Sequence, residues 1–533
     1  MQLGMVLECR AVRGRQRGRE GRHLRLRDRL RQRHVHRHAP LSGHLWPRGR
    51  RTKRRGGMRV HIPVPLDWHR LQWLVANSMR EHPWNPPRVT HSRGPPSGVG
   101  RARPGARNLL NRVHLRESKA SLKDTLRKLA ELALTHVATF AFPLAFAVLC
   151  GRVLGVHDFG IVSFYTALAA FLGVVIEFGF DWLGIREVSQ ARDAAQRHQV
   201  LYNVTASKLL ICLLTSVVAC GFLMWLRGPQ QAPLMIAMLV HLLGFAMDVS
   251  WYLRALERTR LLLGITTVTR IAGIAVLLLA VSRPGAMASA LWSYAFVTVT
   301  TSLMSWAVLL HQGLAHRAPL HWRTMASLMR RSSAIVFGNL NAALLTNGGV
   351  ALLGITADPA TVGAANLALR VKMAGQAVLL PIKQLSYVRL SSLAHDRPAE
   401  ALRAGRIALT ALVGGGVLIC LGIALAAEAI VRHVFLGDFP VAVGLIMLLG
   451  LSVPINAVAE LLGMQCLIAF GQERSYAAVV SVAAVVFCVL LLVVLHGSLA
   501  YGWALLAAEA CLAALAGLQL RSVVARRLEF SRT

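Results

Sequence analysis

Acidic residues are scarce in this chain: 24 Asp and Glu stand against 60 Lys and Arg, a formal net charge of +36. Charged residues of either sign make up only 16% of the 533 positions, against about 25% in soluble domains. The eight cysteines, Cys9, Cys150, Cys212, Cys220, Cys420, Cys466, Cys488 and Cys511, form no CxxC pair. Seven of them lie in or beside apolar runs and read as small membrane hydrophobes, not as metal ligands or a disulfide framework. No Ser-His-Asp spacing, HExxH, Walker A or dinucleotide fingerprint appears. Lacking a Walker A, the chain does not fuel itself with ATP. Its energy comes from an ion gradient, from consumption of a substrate on the far side, or from no source at all.

What is present is apolar length. Hydrophobic residues make up 55% of the chain and mean hydropathy is +0.49. Leu/Ala/Val-rich runs of 18 or more residues recur from about 130 to 518. Each can cross a hydrocarbon core, which takes roughly 20 helical residues. In lipid every backbone polar group needs an internal partner, so only helices or closed barrels span it. The alternating ten-residue segments of a barrel are missing. The expected fold class is therefore all-α, a polytopic membrane protein of about 12 transmembrane helices in two six-helix halves, 119–332 and 333–533, around a central cavity. The twelve runs fall at 130–150, 160–182, 204–226, 233–252, 262–282, 287–310, 333–354, 360–381, 407–427, 440–464, 476–495 and 498–518. Ser121, with Asp124 three residues on, predicts the first helix N-cap. Pro381 and Pro454 predict kinks in the eighth and tenth spans.

Charge sets the orientation. Loops after the second, fourth, sixth, eighth and tenth spans carry 16 Lys and Arg; the opposite loops carry 4, at Arg152, Arg227, Arg283 and Arg432. Both termini are expected in the cytoplasm. Residues 1–112 stand apart, with 27 Lys and Arg against 5 Asp and Glu. Such a segment buries too little apolar surface to fold. It reads as a basic arm for an anionic partner, or as a stretch upstream of a true start at Met58, Met79 or a later codon.

An internal echo runs through the membrane part. Gly151-Arg-Val-Leu-Gly-Val-His-Asp-Phe-Gly160 precedes the second span and Gly354-Ile-Thr-Ala-Asp-Pro-Ala-Thr-Val-Gly363 the eighth, an offset of 203 residues. Glu257-Arg258 is echoed by Glu473-Arg474. Parallel repeats of this kind build transporters whose substrate path lies between the halves. The external loops are short and leave little room for a catalytic site outside the membrane.

Ionisable groups inside spans are costly and are functional candidates by default. Arg270 sits roughly 12 Å into the fifth span, near the midplane. Arg370 and Lys372 lie about halfway along the eighth. One cationic position from each half at one depth is what an anion site needs. Asn366 and Arg370 share a helix face, and Lys372, Gln376 and Lys383 form another stripe. Arg370 and Lys372, two apart, point about 200° apart. Acidic candidates for ion coupling or charge balance are Glu177, Glu460 and Asp248, with Asp181, Glu428 and Glu509 beside them. Asp181, Asp248 and Glu428 lie near span ends, where a solvated position is expected. Asn339, Asn341 and Asn347 in the seventh span read as path lining or as polar glue between helices. No cofactor, metal or nucleic-acid partner is expected.

Four stretches together are similar to the polysaccharide transporter family, the O-antigen and exopolysaccharide flippases of the multidrug/oligosaccharidyl-lipid/polysaccharide superfamily. They are Gly151 to Tyr165 with Glu177-Phe-Gly-Phe-Asp-Trp182 and Ile185-Arg-Glu-Val188, Trp251-Tyr-Leu-Arg-Ala-Leu-Glu-Arg258, Val362 to Lys372 running to Gln384, and Val434-Phe-Leu-Gly-Asp-Phe439 through Gly463-Met-Gln-Cys-Leu467. They cover about 120–520. The resemblance implies two bundles around a cationic cavity, alternating access, and a polyprenyl-pyrophosphate-linked oligosaccharide as substrate. It implies a bacterial inner-membrane protein without enzyme activity, working beside a glycan polymerase and export machinery. Asn366 departs from the aromatic residue usual in that family, and Leu253-Arg254 from its Phe-Gln; residues 1–112 have no counterpart in it. A pyrophosphate suits Arg and Lys, so Arg270, Arg370 and Lys372, with Asn366 and Gln376, are the expected substrate contacts. The rivals are a drug/cation antiporter or lipid II flippase of the same superfamily, a membrane glycan polymerase or ligase, and a non-transporting scaffold. Midplane cations would repel a cationic drug, and a polymerase needs a large periplasmic loop.

Overall fold

The computed structural model describes the backbone of residues 104–394, 398–434, 440–494 and 496–530, and side chains from Phe140 onward. Most of the 1–112 extension lies outside the described residues. Residues 122–533 belong to one compact unit; before residue 122 only helical backbone from Pro104 is described.

The described chain is helical throughout. The first half holds α1 (Pro104–Glu177), α2 (Phe180–Gln190), α3 (Ala194–Arg227), α4 (Ala232–Ala246), α5 (Ser250–Ala255), α6 (Thr259–Ala280) and α7 (Met287–His311). The second holds α8 (Trp322–Ala343), α9 (Gly349–Thr356), α10 (Pro359–Val378), α11 (Leu380–Leu393), α12 (Pro398–Ala429), α13 (Pro440–Ala459), α14 (Glu473–Val489) and α15 (Ala500–Phe530). Ser121 lies inside α1 and does not begin it.

Ten stretches among the described residues are long and apolar enough to cross a membrane. The twelve sequence runs reduce to ten for two physical reasons. Phe140–Gln190 counts as one stretch of 51 residues, about 76 Å of helix at 1.5 Å per residue, more than twice a hydrocarbon core. Its helix breaks at Gly155 (φ 77°, ψ 171°), so the stretch is two helices joined at a kink. The other missing run is α10, 20 residues long, whose Arg370 and Lys372 lower its apolarity without shortening it.

Leucines and valines on the outer faces, such as Leu213, Leu214, Val217 and Val218, are exposed toward lipid, while small and aromatic residues fill the interior. Trp251 and Tyr252 of α5 are fully buried. Of the two span prolines, Pro381 follows a break in its helix and Pro454 lies within an unbroken one. The eighth span breaks at Leu379, two residues before Pro381. Pro454 sits inside α13, which then widens into a π-helical segment at Glu460–Leu467. A further π-helical segment at Leu344–Gly348, with Thr346 at φ −121° and ψ −107°, separates α8 from α9.

The Glu-Arg echo does not mark equivalent turns. After α5 the left-handed residue is Glu257 (φ 59°), closed by Arg258 N donating to Leu253 O at 2.9 Å. In the second half the same closure runs from Gln472 N to Leu467 O at 2.8 Å around Gly471. Glu473 instead opens α14.

The two halves meet where the glycine motifs lie. A Cβ on Gly363 would stand 3.1 Å from a Phe159 ring carbon and 3.3 Å from the Gly160 Cα. One turn on, the Asn366 amide donates to Ser163 Oγ at 2.9 Å. Gly160 with Gly363, and Ser163 with Asn366, are each 203 positions apart, so matching positions of the two motifs face each other. A Cβ on Gly160 would stand 1.8 Å from the Pro359 carbonyl oxygen, so glycine is required on that side of the approach.

Candidate functional site

Charge within the crossing stretches is sorted into paired clusters and, apart from Arg227 at the very end of α3, two cations outside them. The first cluster sits where the second crossing breaks. Phe178 (φ 48°) and Gly179 (φ 71°) separate α1 from α2, leaving Glu177 at one helix end and Asp181 in the next first turn. Asp181 accepts from Arg254 of α5 and lies 3.7 Å from Lys208 Nζ of α3. Lys208 is 1% exposed and also reaches the Asp248 carbonyl at 3.4 Å. Glu177 stands beside Asp181 and within electrostatic reach of Lys208 and Arg254. Asp181 thus serves both cations, while Glu177 makes no ion pair among the described residues. Asp181 is not solvated: its side chain is 16% exposed and held by the two cations. Asp248 is occupied locally, accepting from Ser250 Oγ at 2.5 Å and Ser250 N at 3.2 Å.

The second cluster lies within the other half. Lys372 Nζ meets Glu509 Oε1 at 2.5 Å, the two side chains 4% and 6% exposed. Asn456 donates to the same oxygen at 3.1 Å, and Gln376 donates to Asn456 at 2.9 Å. Lys383 pairs with Glu460. Lys372 and Gln376 are therefore tied to α13 and α15, and Asn366 to Ser163 across the seam. Asn341 bridges to Ser481 at 2.7 Å, as glue between α8 and α14. Asn347 Oδ1 is buried without a partner among the described residues. Glu428 is exposed, 3.9 Å from Arg432.

Two arginines differ. Arg270 of α6 has no carboxylate within 4 Å among the described residues. Its guanidinium carbon lies 6.0 Å from the Phe142 ring centre, and its Nε is buried without a hydrogen-bond partner among the described residues. Asp248 and Tyr294 are within electrostatic reach of it. Arg370 of α10 likewise has no carboxylate within 4 Å among the described residues and lies near the buried Tyr501. The two-residue spacing sets Arg370 and Lys372 about 200° apart around α10, and of the two it is Lys372 that reaches the Glu509 carboxylate.

Sequence reading passed over Lys208, Asn456 and Ser163. Lys208 was legible as a lysine within an apolar run. Asn456 and Ser163 carry no such signal, because short polar residues are common in spans.

Outside the membrane-crossing segments, Asp358 caps α10. Its carboxylate accepts from Thr361 N at 3.1 Å and Thr361 Oγ1 at 2.8 Å. Those bonds, the hydroxyl first, hold the carboxyl below the usual range.

The model of a family described as polysaccharide biosynthesis protein matches residues 125–392. A curated relative from Shigella dysenteriae, named "Putative O-antigen transporter", is 22% identical over 262 residues, 49% of this chain and 66% of the relative. The chain thus spans just under two thirds of that relative's length. The solved structure of a lipid II flippase, MurJ, in an inward closed conformation aligns with TM-score 0.59 at 13% identity, over 73% of this chain and 87% of the other. An inward-facing multidrug resistance transporter of the MATE family, from the MOP superfamily, aligns with TM-score 0.57 at 14% identity, over 74% and 98%. At these identities the two structures establish a shared fold.

Proposed function

The chain belongs to the polysaccharide biosynthesis protein family, and from that premise we propose that it is a flippase for a polyprenyl-pyrophosphate-linked oligosaccharide. It works by alternating access in a bacterial inner membrane, with both termini in the cytoplasm. The observation that carries this reading is the pair of uncompensated arginines. Lys208, Arg254, Lys372 and Lys383 each face a carboxylate, while Arg270 in one half and Arg370 in the other have none within 4 Å among the described residues. An unpaired cation in a span costs about 2.5–3.5 kcal/mol even on permissive scales. Two such costs, one in each half, are offset when an anion arrives. A cationic drug would be repelled, which argues against the antiporter rival.

Arg270 and Arg370 are the substrate contacts in this reading. Lys372 is the internal countercharge of Glu509, and Gln376 positions Asn456 against the same carboxylate. Asn366 belongs to the seam. Glu177 is the ion-coupling group, because it is the carboxylate beside Asp181 that no ion pair among the described residues claims; Glu460 is held by Lys383 and Asp248 by Ser250. The Lys/Arg bias puts the Gly160–Gly363 seam at the periplasmic end, so the state described has that end shut.

The test is complementation of a strain lacking this chain. Arg270→Ala and Arg370→Ala, at normal protein level, are expected to cut surface glycan severely and trap complete lipid-linked units on the cytoplasmic face. Wild-type glycan from both variants would remove them from the mechanism. Units reaching the periplasmic face unpolymerised would make the protein an enzyme or scaffold instead.

A further inference from the structure

We propose that Arg227 forms a phosphate-binding site at the seam between the halves, taking a phosphate ester or pyrophosphate in place of a backbone carbonyl. Arg227 is the last residue of α3. Its Nη2 donates across the seam to the Gly354 carbonyl at 2.5 Å. That carbonyl lies near the end of α9, where the last-turn oxygens lack partners within their own helix. The guanidinium carbon sits 5.2 Å from the Phe164 ring centre. No carboxylate lies within 4 Å of Arg227 among the described residues. A guanidinium has five donors and always carries charge; here its one described hydrogen bond goes to a neutral acceptor.

Hydrogen bonds between ionised partners are roughly twice as strong as neutral ones, and the planar fork of Arg matches phosphate in two places. A phosphate arriving at Arg227 therefore outcompetes the carbonyl. The guanidinium lines a narrow cleft with Gly160, Phe164, Gln231, Gly354 and Pro359. With the seam closed the cleft is too tight for a phosphate, so one enters only as Gly354 moves away from Arg227. Gln231, a further polar group on its wall, is held by the Tyr165 hydroxyl at 2.9 Å. Trp225, 80% exposed two residues before Arg227, sets the depth, since tryptophans gather at the membrane–water interface. The cleft is thus level with headgroups.

Exchange at Arg227 would remove a hydrogen bond that closes the seam, coupling phosphate arrival to opening. The flippase reading enters only in assigning this end to the periplasm and in offering a substrate pyrophosphate as the ligand.

The test uses the full chain in phosphatidylcholine nanodiscs. Spin labels carried on unnatural amino acids at Gln230 and Thr356, both exposed and on opposite sides of the seam, report its width. Inorganic pyrophosphate is expected to widen the distance in the wild type and not in Arg227→Gln. Arg227→Lys, which keeps charge and loses the fork, is expected to need at least about tenfold more pyrophosphate, a loss of about 1.4 kcal/mol. Widening in discs containing phosphatidylglycerol alone would support the site with bilayer lipid as its ligand. Widening only with pyrophosphate or a short-chain prenyl pyrophosphate would support it with the transported lipid as its ligand. No widening in any condition, or equal widening in Arg227→Gln, would overturn the proposal. The readout involves no glycan, so the fate of the Arg270 and Arg370 variants decides the flippase reading separately.

Discussion

Lys372 offers a sharp test, because as a cation in a span it suits a substrate contact while its partners tie it to the fold. The perturbation is removal of its charge, of that of Glu509, or of both. At 2.5 Å the pair gains about 7 kcal/mol of Coulomb energy at an effective dielectric constant near 20. Desolvation of two nearly buried ions offsets most of that, at several kcal/mol per ion. Breaking one side leaves the other charge buried and unpaired, a loss of about 3–5 kcal/mol. Lys372→Met and Glu509→Gln should each lower the melting temperature in detergent and reduce the steady-state level of the protein. Lys372→Met/Glu509→Leu should recover most of that loss, because an apolar pair of similar volume replaces the ion pair. Surface glycan then decides the role. If Lys372 only balances Glu509, the double variant exports glycan. A stable double variant without glycan would refute the assignment and return Lys372 to the substrate. A stable Lys372→Met single variant would refute the energetic argument itself.

Other outcomes follow from the seam and the first-half cluster. Cysteines at Ser163 and Asn366, joined by a short thiol-reactive linker, should block export reversibly, and unimpaired export from the linked protein would show that this seam need not part. Asp181→Asn should destabilise the protein in detergent melting, because it strips Lys208 and Arg254 of their carboxylate; an unchanged melting temperature would place those cations elsewhere. Asp358→Ala should cost about 1 kcal/mol through loss of the α10 cap, read by hydrogen exchange at Thr361 and Val362, whereas Asp358→Asn should cost less. The Asp358 carboxyl titrates below its ordinary range when folded. Its contribution is therefore complete above that range and lost only as pH falls through it, so the Asp358→Ala defect should be the same at pH 6 and pH 8.

The membrane class and the placement of charge along the chain were settled by the sequence. Unbroken apolar runs of about 20 residues leave a helix no alternative in lipid, and an Arg or Lys within such a run is visible without a structure. Arg270 and Arg370 were legible for that reason, and Lys208 should have been. The 203-residue echo was visible as spacing, and the contacts of Ser163 with Asn366 and of Gly160 with Gly363 were not. Partnership was left to tertiary structure. Helical periodicity puts Arg370 and Lys372 on different faces but says nothing of what each face meets. Glu509, 137 residues beyond Lys372, Asp181 turned inward by the break at Phe178–Gly179, and Gly354 opposite Arg227 all depend on how separate helices pack. A charge in a span is costly wherever it sits, so its presence is a property of the sequence; whether a partner already neutralises it is a property of the packed bundle.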